Sequence, residues 1–197
     1  KHKTNNHDIL VFDNGSSPEG KPDVVHLATD KNCYFGGAMN LMFDYVLENK
    51  EYDSLLFLSN DVLLHGYNFV DTLRKEMFEQ DYTVLSPSVI QIRLEQDMWK
   101  QMHNYGTKNV RQVPWVDYMS PLINRRLIEE IKQFSLLIEE LAEKLRCNHI
   151  DAILEHCKTS GLEIEVASSL VSSALKAKIR EDAQEINMLK KSSKLPI

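Results

Sequence analysis

Along the first 85 residues, short apolar runs alternate with stretches in which apolar side chains return at helical spacing. His7–Phe12 (HDILVF), Asp23–Ala28 and Tyr82–Leu85 read as strands. Leu55–Leu58 is a continuous apolar run with a polar edge, the pattern of a central strand covered on both faces. Leu41, Met42, Tyr45 and Val46 predict an amphipathic helix to about Glu48, and a second helix is expected from about Tyr67 to Glu79. This alternation predicts a mostly parallel sheet with helices on its faces. Gln91–Asn109 is polar apart from Met98, Trp99, Met102 and Tyr105, and is expected to be a loop bordering a pocket. Val113–Tyr118 (VPWVDY) reads as a strand that Pro114 places at an edge or a bulge, and Pro121 helps to start the helix after it.

From Ser135 the pattern becomes wholly helical. Leu136, Leu137, Leu141 and Leu145 form one face; after a break near Cys147 and Asn148, Ile150, Ile153 and Leu154 form another, which Gly161 is placed to end. A third helical region, about Glu165 to Leu189, carries Val166, Leu170, Leu175, Ile179, Ala183 and Ile186. The chain therefore divides into an α/β part over 1–134 and a small all-α part over 135–197.

Two of the expected strands end in polar clusters, Asp13-Asn14-Gly15-Ser16-Ser17 and Ser59-Asn60-Asp61. In open α/β sheets ligands lie outside the carboxyl ends of the strands, so Asp13 and Asp61 fall on one rim, where a nucleotide would lie. Asp61 is the leading candidate to hold a hard divalent cation, which needs only one or two carboxylates from the protein. The alternative is that Ser59, Asn60 and Asp61 turn the chain and cap the following helix. Gly36 and Gly37 open a helix where backbone N–H groups meet a phosphate, or where close packing against the sheet excludes a side chain; neither a dinucleotide nor a P-loop pattern is present. Asp117 is a pocket residue or a helix cap.

Composition changes this picture little. With 43% hydrophobic and 26% charged residues in 197, the chain has the make-up of a soluble globular protein, and no apolar run approaches the length of a membrane span. The net charge of −6 argues against a nucleic-acid surface, so no direct nucleic-acid binding is expected. From Ser135 onward 10 acidic residues stand against 9 basic ones, and before it 19 against 14. The basic end at Lys190, Lys191 and Lys194 reads as a solvated tail. Cys33, Cys147 and Cys157, odd in number and widely spread, read as reduced thiols of a cytosolic protein. Cys147 with His149 and His156 with Cys157 match no trusted zinc spacing. The first residue is Lys, which suggests a fragment.

DILVFDNGSS, NCYFGGAMN, YDSLLFLSNDV and VPWVDYMSPLINRRLIEEI occur in the order found in GT-A glycosyltransferases of the family 2 type, which residues 7–134 resemble. The resemblance implies a GT-A-like fold and transfer of a sugar from a UDP- or GDP-sugar donor to an acceptor that the sequence does not identify. Asp13 looks like the aspartate that contacts the base or ribose, and Asp61 like the last carboxylate of a D-x-D-type element binding Mn2+ or Mg2+ on the diphosphate. Asn60 stands where many relatives carry another acid. Asn14, Asn32, Gly36, Gly37 and Asn40 fall on the donor pocket, and Trp115 and Asp117 where the acceptor side begins. The downstream acidic segment that supplies the catalytic base in relatives has no counterpart here, which leaves Asp117 as the candidate. The usual first strand has no counterpart either, so the transferase part reads as truncated.

HIDAILEHCKTSGLEIEVASSLVSSALKAKIREDAQEINML, followed by KLPI, resembles the late-transcription coactivators of T4-like phages. That resemblance implies contact between 135–197 and RNA polymerase without catalysis. No acidic, apolar clamp-binding tail is present, so it does not extend to the DNA sliding clamp. The two resemblances meet near Phe134 without a Gly-, Pro- or Ser-rich linker, which suggests a fusion or join of neighbouring genes.

Overall fold

A short hairpin opens the chain in the computed structural model, which describes residues 2–4, 7–60, 62, 68–88, 110, 112–113 and 120–190. Strand β1 (His2–Thr4) pairs antiparallel with β2 (His7–Ile9), and β3 (Phe12–Asn14) pairs parallel with β4 (Leu27–Thr29). The expected strand His7–Phe12 is thus split. The cause lies at Val11, whose N–H donates to His26 Nδ1 at 3.0 Å and so leaves the strand ladder. Helix α1 follows over Tyr34–Glu48.

Strand β5 (Ser54–Leu56), helix α2 (Phe69–Glu79), strand β6 (Val84–Leu85) and strand β7 (Leu122–Asn124) come next. These strands form a sheet in the order β5-β7-β6, with Leu56 and Leu85 both opposite Leu122. Because β7 runs antiparallel to both neighbours, the expected mostly parallel sheet is not observed: among the described residues only β3 and β4 pair parallel. The correction lies in Leu122–Asn124, which the sequence reading placed at a helix start behind Pro121. All three of its residues are buried, and Phe57 N–H donates to Pro121 O at 3.0 Å. The expected strand Val113–Tyr118 and the loop Gln91–Asn109 lie outside the described residues, apart from Val113.

Four helices complete the chain: α3 (Arg125–Leu145), α4 (His149–Ser160), α5 (Ile164–Ser169) and α6 (Ser173–Glu185). Asn124 starts α3 by accepting from the Arg126 N–H at 2.9 Å, and α3 then runs unbroken across the expected boundary at 134. The region expected as one helix over 165–189 is two. Ser172 accepts from the Leu175 N–H at 3.1 Å and caps a new start.

Contacts divide the chain into two units, 1–45 with 129–197, and 46–128. In the first, Phe134, Ile138, Ala142, Ala152, Ile153, Ala167 and Leu175 form a buried core drawn from all four helices after residue 128. In the second, Met77, Leu85 and Leu122 are buried with Leu56, Leu73 and Tyr82 packed against them. The Arg125 guanidinium there donates to the carbonyls of Val46, Leu47, Asn49 and Tyr52 at 2.7–3.1 Å. A single cation thereby satisfies carbonyls that the end of α1 leaves without helical donors. Asp53, bridged by Arg74 of α2, fixes the start of β5.

Candidate functional site

In the first unit the carboxyl ends of β3 and β4 meet the start of α1 at Asn14. Asn14 Oδ1 accepts from the Cys33 N–H at 3.0 Å, the Cys33 thiol at 2.8 Å and the Thr29 hydroxyl at 3.3 Å. Its Nδ2 donates to Asn32 Oδ1 at 3.1 Å and Tyr34 O at 3.4 Å. Asn32 Oδ1 in turn accepts from the Tyr34 N–H at 2.8 Å. Gly15 allows this closure: its φ is +71°, and a Cβ there would lie 2.4 Å from the backbone of Lys31 and Asn32. The sequence-predicted residues Asp13, Asn14 and Asn32 are therefore brought together.

What they do locally is structural. Asp13 is only 3% exposed, and its Oδ1 accepts from the Ser16 N–H at 3.0 Å. The Ser16 side chain and then its amide hold the Asp13 carboxyl below its usual range, against the opposing effect of burial, with Lys21 adding a weaker lowering. Gly37 packs on Cys33, where a Cβ would sit 2.8 Å from Cys33 Cβ; Gly36 packs on Ser173, where it would sit 2.8 Å from Ser173 Oγ. Both glycines are close-approach positions. Asn40 is half-buried in α1. Asn60 belongs to the other unit and lies in an exposed turn, with Val62 N–H donating to Ser59 O at 3.3 Å. Asp61, Trp115 and Asp117 lie outside the described residues.

A divalent cation needs a gathered donor set. Among the described residues no three His, Cys, Asp or Glu side chains converge to hold a metal. Asp13 is turned onto Ser16, from whose N–H it accepts.

The helices after residue 128 show a different kind of organisation. Asp182 of α6 reaches the first residue of α4: its Oδ2 accepts from the His149 N–H at 2.7 Å and lies 2.6 Å from His149 Nδ1. An anion at a helix N-terminus meets both free N–H groups and the positive end of the dipole. Burial pushes the Asp182 carboxyl up, but the His149 amide and ring together hold it below its ordinary value. Asn148 caps the same helix from its own chain, accepting from the Asp151 N–H at 2.8 Å. Gly161, at φ +75°, ends the helix with its N–H on Cys157 O at 3.0 Å. His156 stacks edge-on against Phe134.

Residues 128–196 match the family model described as phage late-transcription coactivator. The matched segment begins within α3 and contains the whole core drawn from α3 to α6, together with the Asp182–His149 pair. It starts seven residues upstream of the boundary expected at 135. Comparison with curated proteins and with solved structures gives no match. Nothing in these comparisons supports the glycosyltransferase resemblance over 7–134. No described helix is long and apolar enough to cross a membrane.

Sequence reasoning found helices in the coactivator-matching segment but read Leu136, Leu137, Leu141 and Leu145 as one face of α3, whereas Phe134, Ile138 and Ala142 are the residues buried in its core. Leu136, Leu154, Ile164, Val166 and Ile186 are each more than 40% exposed. The signal was available: Leu136 and Leu154 share their helices with core residues at spacings that cannot all face inward.

Proposed function

We propose that residues 128–196 are a transcription coactivator module that binds RNA polymerase and carries no catalysis of its own. The observation that carries this reading is the coincidence of the family match with a hydrophobic core closed within α3 to α6. A non-catalytic role also accords with the described chemistry, since His149 and Asp182 are engaged with each other as a helix cap. The exposed apolar side chains Leu154, Ile164 and Val166 are the proposed contact surface. The test is capture of RNA polymerase from phage-infected cells on the immobilised full chain. Binding that falls at least about tenfold in Leu154→Glu with Val166→Glu is expected, as loss of buried anchors predicts. No capture by the folded chain would remove the reading.

A second reading concerns residues 1–45. The rim around Asn14 accepts the nucleotide part of a UDP- or GDP-sugar, and transfer of the sugar would be the activity of the complete site. It is favoured by the way the ends of β3 and β4 and the start of α1 are tied together at Asn14 and Asn32. The family resemblance would assign Mn2+ or Mg2+ to Asp61, which lies outside the described residues. Titration of UDP and GDP with and without Mn2+, repeated on Asp61→Ala, tests this directly. Metal-dependent binding lost in the variant supports it, and absence of binding by a folded chain removes it.

A further inference from the structure

The family match begins at residue 128, inside a helix that starts three residues earlier, at Arg125. The groups that set that start lie upstream of the match. An α-helix opens with four N–H groups that have no helical acceptor. Two of these are met from within residues 46–124: the Arg125 N–H donates to Asp53 O at 2.9 Å, and the Arg126 N–H donates to Asn124 Oδ1 at 2.9 Å. Asn124 is itself fixed by the sheet, since it lies opposite Ser54 of β5 and donates its own N–H to Thr83 O at 2.9 Å. Side chains of the same turn tie it down further. Arg125 holds the carbonyls of Val46, Leu47, Asn49 and Tyr52, Arg126 pairs with Asp81 at 3.0 Å, and Ile128 is fully buried.

The first turn is the costly part of a helix, because several residues must be ordered for one hydrogen bond, whereas each later residue adds a bond of its own. Here the sheet orders that turn in advance. Residues 125–128 of α3 fall in one unit with the sheet, and residues 129–145 fall in the other with α4, α5 and α6. The helical core depends on α3, which supplies Phe134, Ile138 and Ala142. We infer that residues 46–124 are a folding platform for the coactivator-matching segment: they preset the first turn of α3, and the helical core builds on a helix already begun. The sheet and the helical core then fold as one cooperative system, in place of the join of independent parts that the sequence suggested. The inference goes beyond the polymerase-binding reading and does not depend on it.

The test uses the full chain as wild type, Asn124→Ala, Asn124→Ser and Met77→Ala, followed by hydrogen exchange at the Ile138, Ala142 and Ile153 amides, which lie in the helical core. Asn124→Ala removes the acceptor of the Arg126 N–H and leaves the backbone pairing of β7 in place, while serine restores a capping oxygen. Exchange about fivefold faster is expected at all three amides in Asn124→Ala, the factor that corresponds to a lost N-cap. Asn124→Ser is expected to stay near wild-type rates, which a fault in strand packing would not allow. Met77 is fully buried in the cluster of the sheet unit and does not belong to that of the helices. Its truncation to alanine is expected to speed exchange at the same three amides at least about tenfold. Equal rates in Asn124→Ala and Asn124→Ser would overturn the preset turn. Faster exchange confined to Glu129 and Glu130 in Asn124→Ala, or unchanged rates at the three core amides in Met77→Ala, would overturn the platform. If Met77→Ala unfolds the sheet outright, a helical core that keeps its protection overturns the inference, and one that loses it supports it.

Discussion

The core of α3 to α6 and the sheet of residues 46–128 are both built on a few fully buried side chains, yet they are assembled from opposite kinds of information. In the helical part, Phe134, Ile138 and Ala142 follow one another at four-residue steps along one helix, and each partner helix brings its own periodic face. In the sheet part, Leu56 and Leu85 meet at Leu122 through strands of two or three residues, and a polar hub at Arg125 holds the turn that leads into them. Local pattern specifies the first. Pairing between distant segments specifies the second, and it leaves little trace in any one stretch of sequence.

The largest expected effect is on the helical side. Leu175 is fully buried between the other core residues, so Leu175→Ala removes apolar contact and opens a cavity at once. A loss of about 2–5 kcal/mol is expected in urea unfolding followed by helical circular dichroism. The equivalent change at Leu154, which is about half exposed, is expected to cost well under 1 kcal/mol. If both cost the same, the helical core is not organised as described.

Next comes the polar hub of the sheet unit. Arg125→Met keeps an unbranched apolar stem and removes the donors to four carbonyls, so the end of α1 loses its cap within that unit. About 1.5–3 kcal/mol is expected to be lost, the range for hydrogen bonds that involve a charged group. Arg125→Lys, with a point charge in place of the planar fork, is expected to recover only part of it. Full recovery would mean that charge alone, rather than the geometry of the fork, holds the carbonyls.

What the sequence made legible follows the same division. Helical spacing located α2 and α4, and Gly161 marked a helix end, because these signals are complete within a few residues; the face it read for α3 is largely exposed at Leu136, Leu137 and Leu145. Strand β7 was hidden: Leu122-Ile123-Asn124 behind a proline resembles a helix start, and only its partners 37 to 70 residues away make it a strand. At the candidate rim, Asp13, Asn14 and Asn32 were legible as polar residues at strand ends, but not that Asn14 spends both its amide groups on the protein itself. The Asp182–His149 pair joins residues 33 apart in sequence and gave no local sign.

That pair offers a smaller and pH-dependent test. The folded-state pKa of Asp182 lies below its ordinary value, so its stabilising contribution is complete above the ordinary aspartate value of about 3.9 and is lost as pH falls through the lower folded value. Asp182→Asn still offers an oxygen to the His149 N–H but no charge to the ring or the helix end. A cost of about 1 kcal/mol is expected at pH 7 and a smaller one at pH 3 in urea titrations. An equal cost at both values would place the stabilisation in packing and leave the carboxylate without a role.

The smallest effect is expected at Gly161, where the space around the residue separates two causes that usually act together. A Cβ there would meet nothing within 4 Å, so Gly161→Ala creates no clash. Its φ of +75° is the left-handed conformation, which costs an L-residue about 1–2 kcal/mol. Alanine also narrows the unfolded ensemble and returns about 0.4–1 kcal/mol of that. The net loss is therefore expected near 0.5 kcal/mol, with Gly161→Asn closer to neutral because asparagine tolerates this conformation. Differential scanning calorimetry of the two variants distinguishes the cases. Gly161→Ala as stable as wild type would mean that α4 does not end in a left-handed residue, and the helix end would then be fixed by the packing of Cys157 and Leu162 on the core instead.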